Sequence, residues 1–199
     1  TANILNYTSP GYKAFPVEYD LQEAKRLAHE VLGDKRCEIT YCINGNEPLQ
    51  KGEAELIAYW LQDIGLDVKI KAIEYATLSK MMRKGDFNIV RIQKGLANGD
   101  PFSALYTFIM PDGALNVSNS SGYNNPEVTE LMNKVKHITD EAERQRVFDR
   151  IQEIVVYEQP VIPLFNDMNI VAYNKRLKNY KPLIYGVDLS KVELAEKYD

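Results

Sequence analysis

The sequence predicts an α/β fold: a mixed, largely parallel sheet with flanking helices. Two observations carry this expectation. Strand-like and helix-like periods alternate between residues 20 and 93. An alternation of that kind is the signature of crossover-connected strands, which pair in parallel with right-handed connections. The chain has 199 residues, 45% of them hydrophobic and 26% charged, as expected of a globular chain with one substantial core or two smaller ones.

Residues 1–19 contain Pro10, Gly11 and Pro16 among several aromatics and show no period, which predicts an extended leading segment. Asp20 and Glu23 form a capping-box-like helix start. Leu21, Ala24, Leu27, Ala28, Val31 and Leu32 then form an apolar stripe, and Gly33 stops the helix. Residues 38–43 are β-branched and aromatic and predict a strand, followed by the polar turn Asn44-Gly45-Asn46. Pro48 suits a first helical turn, and Leu56, Ile57, Trp60, Leu61 and Ile64 make a second stripe that ends at Gly65. In residues 66–73, Val68, Ile70 and Ala72 alternate with Asp67, Lys69 and Lys71, which predicts a strand with one solvated face. A short helix over 76–84 stops at Gly85-Asp86, and residues 87–93 read as a third strand, apolar on both faces and hence more buried.

Beyond it the loop 94–101 breaks the pattern. A helix is expected around 101–110, and the Asn-, Ser- and Gly-rich residues 111–125 read as a long loop. Asn125-Pro126 starts a helix with Val128, Leu131, Met132 and Val135 on one face. Asp140 and Glu143 start another, which carries Val147, Phe148, Ile151, Ile154 and Val155 and stops at Pro160. Two short strands are expected at 161–166 and 169–174, and the weakly patterned remainder reads as a strand or tail that docks elsewhere.

Composition excludes several functions. A net charge of −4 argues against nucleic acid as a partner, because phosphate binding needs a basic face. No apolar run approaches the roughly 18 residues of a membrane helix, so no membrane span is expected in this chain. Cys37 and Cys42 lie five residues apart in one strand, on opposite faces, where a bridge is hard to form; they read as two small hydrophobes. His29 and His137 have no His or Cys at ligand spacing and read as surface or helix-end residues. No Gly-x-Ser-x-Gly elbow frames a nucleophile. No catalytic residue, metal site or cofactor is expected.

The order of motifs resembles a known family. Tyr19-Asp20-Leu21-Gln22-Glu23-Ala24-Lys25-Arg26-Leu27, Trp60-Leu61-Gln62-Asp63-Ile64-Gly65-Leu66-Asp67-Val68, Gly85-Asp86-Phe87-Asn88 with Gly99-Asp100-Pro101, Gly122-Tyr123-Asn124-Asn125-Pro126-Glu127-Val128 and Pro160-Val161-Ile162-Pro163-Leu164-Phe165 occur in the order of the oligopeptide-, dipeptide- and nickel-type (family 5) extracellular solute-binding proteins of ABC importers. The resemblance implies one lobe, the C-terminal one, of a two-lobed fold of the periplasmic-binding-protein type II kind. Residues 1–19 would then be the crossover or hinge segment, 20–178 the ligand-binding lobe, and 179–199 the return segment. The lack of a start Met and of a signal sequence fits a trimmed piece.

The resemblance also implies a site. Peptide-binding relatives end the third strand in Gly-Trp, followed after two residues by an Asp that meets the ligand's α-ammonium. The matching positions here are Gln93-Lys94, then Gly95-Leu96, then Ala97, with Asn98 beyond them. Lys94 replaces the Trp and Ala97 replaces the Asp, so a charge-assisted hydrogen bond of about 1.5–3 kcal/mol is missing. An anionic, capped or chelated solute is therefore more plausible than a free peptide N-terminus. Lys94 also reads as a solvated loop-end lysine. Asp100-Pro101 fits an N-cap and N1 pair better than a ligand contact, although exposed amides at that helix start can bind an anion. Asn44 and Asn46 follow the carboxyl end of a strand, where open α/β sheets bind ligands, and equally form a turn. Tyr123 either faces the cleft or packs on the lobe.

The function expected from these readings is capture of a small solute, peptide-like or metal-chelate, in a cleft that closes by hinge motion, for delivery to an ABC permease from the periplasm or the cell surface. A ligand-sensing domain of a regulator is the alternative. An enzyme is less favoured, since no two acidic or nucleophilic residues sit in a spacing that fixes a mechanism.

Overall fold

The computed structural model describes residues 3–95, 100–119, 121–167, 170–183 and 188–195. By contact the chain divides into two compact units, Ala2–Pro163 and Leu164–Asp199.

In the larger unit, helix α1 (Leu21–Leu32) starts where its box predicts: Asp20 accepts from the Glu23 amide. Strand β1 (Cys37–Asn44) follows, then α2 (Pro48–Gln62), β2 (Leu66–Ile73), α3 (Tyr75–Lys84) and the two-residue strand β3 (Ile89–Val90). The sheet order is β2-β1-β3, and both pairings are parallel, as the alternation predicts. Helix α2 lies on one face, where Tyr41, Ile43 and Ala54 are buried with Ile57, Val68, Ile70 and Ile89 around them. Helix α3 covers the other face, over Cys42, Leu78 and Met82. Odd and even residues of β1 thus feed two different cores.

The third strand is shorter than predicted and lies at an edge. Asn88 N–H donates to Thr40 O and Arg91 N–H to Cys42 O, so pairing ends there and the chain leaves the sheet. Its apolar residues face both ways because a helix packs on each side of the sheet. A two-faced apolar pattern reports two covered faces, not a central position.

Two helices carry their stripes differently from the prediction. No residue of α1 is buried; Leu27 and Val31 are 48% and 84% exposed. On α2 the residues buried against the sheet are Gln50, Ala54 and Ala58, whereas Leu56 and Trp60 face outward. Small residues let the helix axis approach the strands closely; Ile57 still packs against the sheet, while Leu56 and Trp60 stand on the outer side.

The remaining helices build a separate core: α4 (Pro101–Ile109), α5 (Ala114–Asn119), α6 (Pro126–Val135) and α7 (Glu141–Glu158). Their buried residues include Leu105, Ile109, Met132, Phe148 and Ile151, joined by Leu5 of the leading segment. Helix α5 replaces part of the predicted long loop. Gly113 permits it, because a side chain there would collide with the carbonyl oxygens of Tyr106 and Thr107. Buried Asn116 then ties the region down, donating to Met110 O at 2.9 Å and to Tyr123 O at 2.8 Å.

The leading segment is not a free linker. Gln152 of α7 is buried; its Oε1 accepts from Asn3 Nδ2 at 2.6 Å and from the Lys13 amide at 3.1 Å, and its Nε2 donates to Gly11 O at 2.9 Å.

The predicted strands at 161–166 and 169–174 are absent among the described residues. Pro160 and Pro163 remove two backbone donors, and Ile162 and Phe165 are 70% and 50% exposed. No ladder forms along the segment among the described residues. In the smaller unit β4 (Leu177–Lys178) pairs antiparallel with β5 (Glu193–Leu194). Arg176 Nε donates to Ala195 O, and the Tyr173 and Tyr180 rings meet edge to face.

Candidate functional site

Strands β1 and β3 run in parallel and end side by side, so their carboxyl ends open a concavity that the helices α2 and α3 border. The cavity there has a volume of about 180 Å³ and is lined by residues that include Asn44, Gln50, Leu78, Met82, Arg91 and Lys94. Its position is the one that open parallel sheets use for ligands. Leu78 and Met82 supply an apolar floor, while the polar wall comes from the strand ends and from the first turn of α2.

The polar wall is arranged by short-range bonds. Gly45 lets the turn after β1 approach β2 closely, since a Cβ there would lie 3.3 Å from the Ile73 nitrogen. Asn44 Oδ1 accepts from the Asn46 amide at 3.2 Å, and Gln50 Oε1 accepts from the Asn44 amide at 3.1 Å. Arg91 Nε donates to Glu53 Oε2 at 2.8 Å, and Nη1 donates to the Ile92 carbonyl. The side chains of this ion pair are only 12% and 23% exposed. Tyr41 lies below: burial pushes its phenol up, with Arg91 opposing and Glu53 adding to the rise.

Removing one partner of so enclosed a pair leaves an uncompensated charge. Glu53→Ala is therefore expected to cost roughly 2–4 kcal/mol in urea unfolding. Glu53→Ala with Arg91→Met is expected to recover most of that loss. Equal losses in the two variants would show that the pair is not electrostatically coupled.

The structure brings together two of the residues singled out from sequence, Asn44 and Lys94. Asn46 is exposed in the turn and serves it through its amide, and Gly95 is exposed beside Lys94. Asp100 caps α4, its carboxylate accepting from the Phe102 and Ser103 amides at 3.2 and 3.0 Å. Leu96, Ala97 and Asn98 lie outside the described residues. Tyr123 packs against the α4–α7 core, and its hydroxyl donates to Glu158, which also accepts from Asn125 Nδ2.

Burial first, then the Glu158 hydrogen bond and charge, raise the Tyr123 phenol well above the usual tyrosine range. A group raised in the folded state contributes stability that is full below its unfolded value of about 10 and is lost as pH rises through the folded value. A late tyrosinate absorbance step is therefore expected, and Tyr123→Phe should remove it. If the step persists in Tyr123→Phe, another tyrosine is responsible.

The sequence reading missed Gln50, Arg91 and Glu53. Two signals were available. Arg91 is a charge inside the apolar run Phe87–Ile92, and Gln50 shares the helical face of Ala54 and Ala58 at spacings of four. Among the described residues no group of three or more His, Cys, Asp or Glu is placed to hold a metal ion, and no helix is long and apolar enough to cross a membrane.

Comparison with known proteins places this geometry in a family. The probable D,D-dipeptide-binding periplasmic protein DdpA of Escherichia coli (strain K12) is 26% identical over 171 residues, covering 85% of this chain and 33% of that protein. The ABC transporter-associated periplasmic binding protein DppA from Helicobacter pylori, solved in complex with the peptide STSA, superposes with a TM-score of 0.81 at 29% identity, over 98% of this chain and 38% of that one. NikA from Brucella suis, in complex with Fe(III)-EDTA, shares the fold with a TM-score of 0.64 at 23% identity, over 79% of this chain and 34% of its own. The chain spans about a third of the length of the curated relatives it matches. The family model described as bacterial extracellular solute-binding proteins, family 5 Middle, matches residues 1–116. With its parallel sheet, its cavity at the strand ends and a family match over more than half its length, the chain belongs to the family 5 bacterial extracellular solute-binding proteins.

Proposed function

We propose that this chain is one ligand-binding lobe of a substrate-binding protein that serves an ABC importer. The observation that carries the reading is the cavity at the carboxyl ends of β1 and β3, walled by Asn44 and Lys94, in a chain of this family. The solute, peptide-like or a metal chelate, sits against this wall and is enclosed when a second lobe closes over it by hinge motion. Closure follows from the solute's greater affinity for the closed state. Residues 20–178 form the lobe, 1–19 the crossover and 179–199 the return. The part of the crossover held by Gln152 moves with α7 as one body. Lys94 and Asn44 line the site, with Gly95 and Asn46 beside them as further candidate contacts; the candidates Leu96, Ala97 and Asn98 lie outside the described residues. Asp100 and Tyr123 hold the neighbouring helices in place.

The protein acts outside the cytoplasmic membrane, in the periplasm or as a surface lipoprotein, and hands its solute to a permease. Its activity is binding, as DdpA and DppA are named as binding proteins.

Native mass spectrometry of the full-length protein tests this. A retained small solute, with a thermal shift on adding it back, is the expected result. No retained solute and no shift across peptides, opines and metal chelates would overturn the reading. Turnover that a single carboxylate substitution abolishes would replace it with an enzyme.

A further inference from the structure

We propose that the outward face of α2 is a docking surface for a second copy of this chain, joined antiparallel across a two-fold axis near Leu56. The residues of this face do not line the cavity at the strand ends, so the contact stands apart from solute capture.

Helix α2 is apolar on two opposite faces. Ala54, Ala58 and Ile57 meet the sheet. Leu49, Leu56, Tyr59 and Trp60 stand on the other side, 81%, 49%, 65% and 55% exposed. Single exposed apolar residues are ordinary, but a continuous row of four marks a contact, and a helix apolar all round is normally covered on both sides. Gly52 belongs to the same row. A side chain there would meet no atom of the described residues within 4 Å, so nothing inside this chain requires a glycine. Glycine inside a helix costs stability that alanine would not. Its use at Gly52 is accounted for by a body outside the chain that must come close to the helix axis.

The row is complementary to itself. The helical repeat puts Gly52 and Tyr59 along one edge of it, and Leu49 and Trp60 along the other, with Leu56 between. When two such helices face each other antiparallel across a two-fold axis, each edge meets its own copy in reverse. Tyr59 then lies over Gly52 of the second copy, Trp60 over its Leu49, and the two Leu56 side chains meet near the axis. Each aromatic ring finds a smaller residue opposite. The rim does not oppose this: Glu55 has Lys51 at 3.9 Å, and Glu53 is paired with Arg91. Large side chains offer roughly 150–250 Å² each, so these four give roughly 500 Å² and with the rim approach the about 800 Å² that one partner brings to a standard interface. Trp and Tyr are also the residues that dominate binding energy in such contacts. A lipid surface fits less well, because Glu53, Glu55 and Asp63 face Lys51 alone around the row, whereas membrane-surface helices carry Lys and Arg there.

Sedimentation equilibrium of the full-length protein and of this chain tests the proposal. Both are expected to dimerise with a micromolar dissociation constant. In this chain the emission of Trp60, its one tryptophan, should shift to the blue along the same concentration curve. Gly52→Gln fills the notch and should weaken the dimer at least about tenfold, without lowering the unfolding midpoint of the monomer, since a helix prefers Gln to Gly. Tyr59→Ala removes the ring that enters the notch and should weaken it comparably. In a Cys37→Ser background, a short bis-thiol reagent should join Gly52→Cys protein to Tyr59→Cys protein faster than it joins either to itself. A dimer that neither Gly52→Gln nor Tyr59→Ala weakens would overturn the assignment of this face. Monomers of both proteins across the micromolar range would overturn the second copy as occupant. So would a full-length monomer beside a dimeric chain, which would assign the face to the rest of the protein. A blue shift with phosphatidylglycerol vesicles and none with concentration would assign it to a membrane instead.

Discussion

Phe148→Ala is expected to cost about 3–5 kcal/mol, enough to unfold much of the population of a marginally stable chain. Phe148 is 2% exposed on α7, in the core that α4, α6 and the leading segment share. The Arg144 guanidinium lies 4.9 Å from its ring centroid and closes the outer side of the site. Truncation removes the transfer free energy of the ring and leaves a void that α4 and α6 can only partly fill. Tyr157 on the same helix is 90% exposed, and Tyr157→Ala should stay within about 0.5 kcal/mol. Urea midpoints of the two variants decide the matter. A loss below about 1 kcal/mol for Phe148→Ala would mean that α7 is not seated as described.

The second large effect is expected four residues along. Gln152→Leu keeps the volume of the side chain and deletes its hydrogen bonds. Asn3 Nδ2, the Lys13 amide and the Gly11 carbonyl would each lose a partner inside the protein. Asn3 Nδ2 keeps its bond to Lys13 O, so not every group is orphaned. An expected loss of about 2–4 kcal/mol follows from unsatisfied buried polar groups at roughly 1–3 kcal/mol each, discounted for the bonds that remain. Trypsin provides a second readout, because the bond after Lys13 is protected while the segment is held to α7. Faster cleavage there, together with a lower urea midpoint, is the expected pair of results. A stability loss without faster cleavage would place the damage in α7 itself.

Much of the fold was legible because its signals are local. Asp20, Asn125 and Asp140 each cap the helix that the sequence assigns them, accepting from an amide three residues on. Alternation in 66–73 fixed both the extent of β2 and its solvated face. What was not legible depends on neighbours that sequence does not name. The stripe of α1 announces an apolar face and not the surface that covers it, and Leu27 and Val31 stand exposed. On α2 the decisive residues were the small ones, Ala54 and Ala58, which no hydrophobicity scale ranks above Leu56 or Trp60. The segment 161–166 has strand composition, yet a strand is a pairing, and with Pro163 inside it and Pro160 before it the described residues form no ladder there.

The site divides in the same way. Asn44 was found because it ends a strand, a property that follows from the element order, and Lys94 because it stands at a position of the family's motif. Gln50 and Arg91 were missed because each is a polar residue inside an apolar face, and such an exception acquires meaning only beside its partners, Asn44 and Glu53.

The two cysteines of β1 turn that strand into its own stopwatch. Cys37 is partly accessible at the start of the strand, while Cys42 is fully enclosed under α3, where burial also raises its thiol pKa. An alkylating reagent therefore meets one thiol in the native protein and the other only in the moments when β1 is out of the sheet. The ratio of the two labelling rates, corrected for intrinsic thiol reactivity, reads the free energy of that opening at about 1.4 kcal/mol per decade. A solute held at the end of β1 should lengthen the Cys42 interval and leave that of Cys37 unchanged.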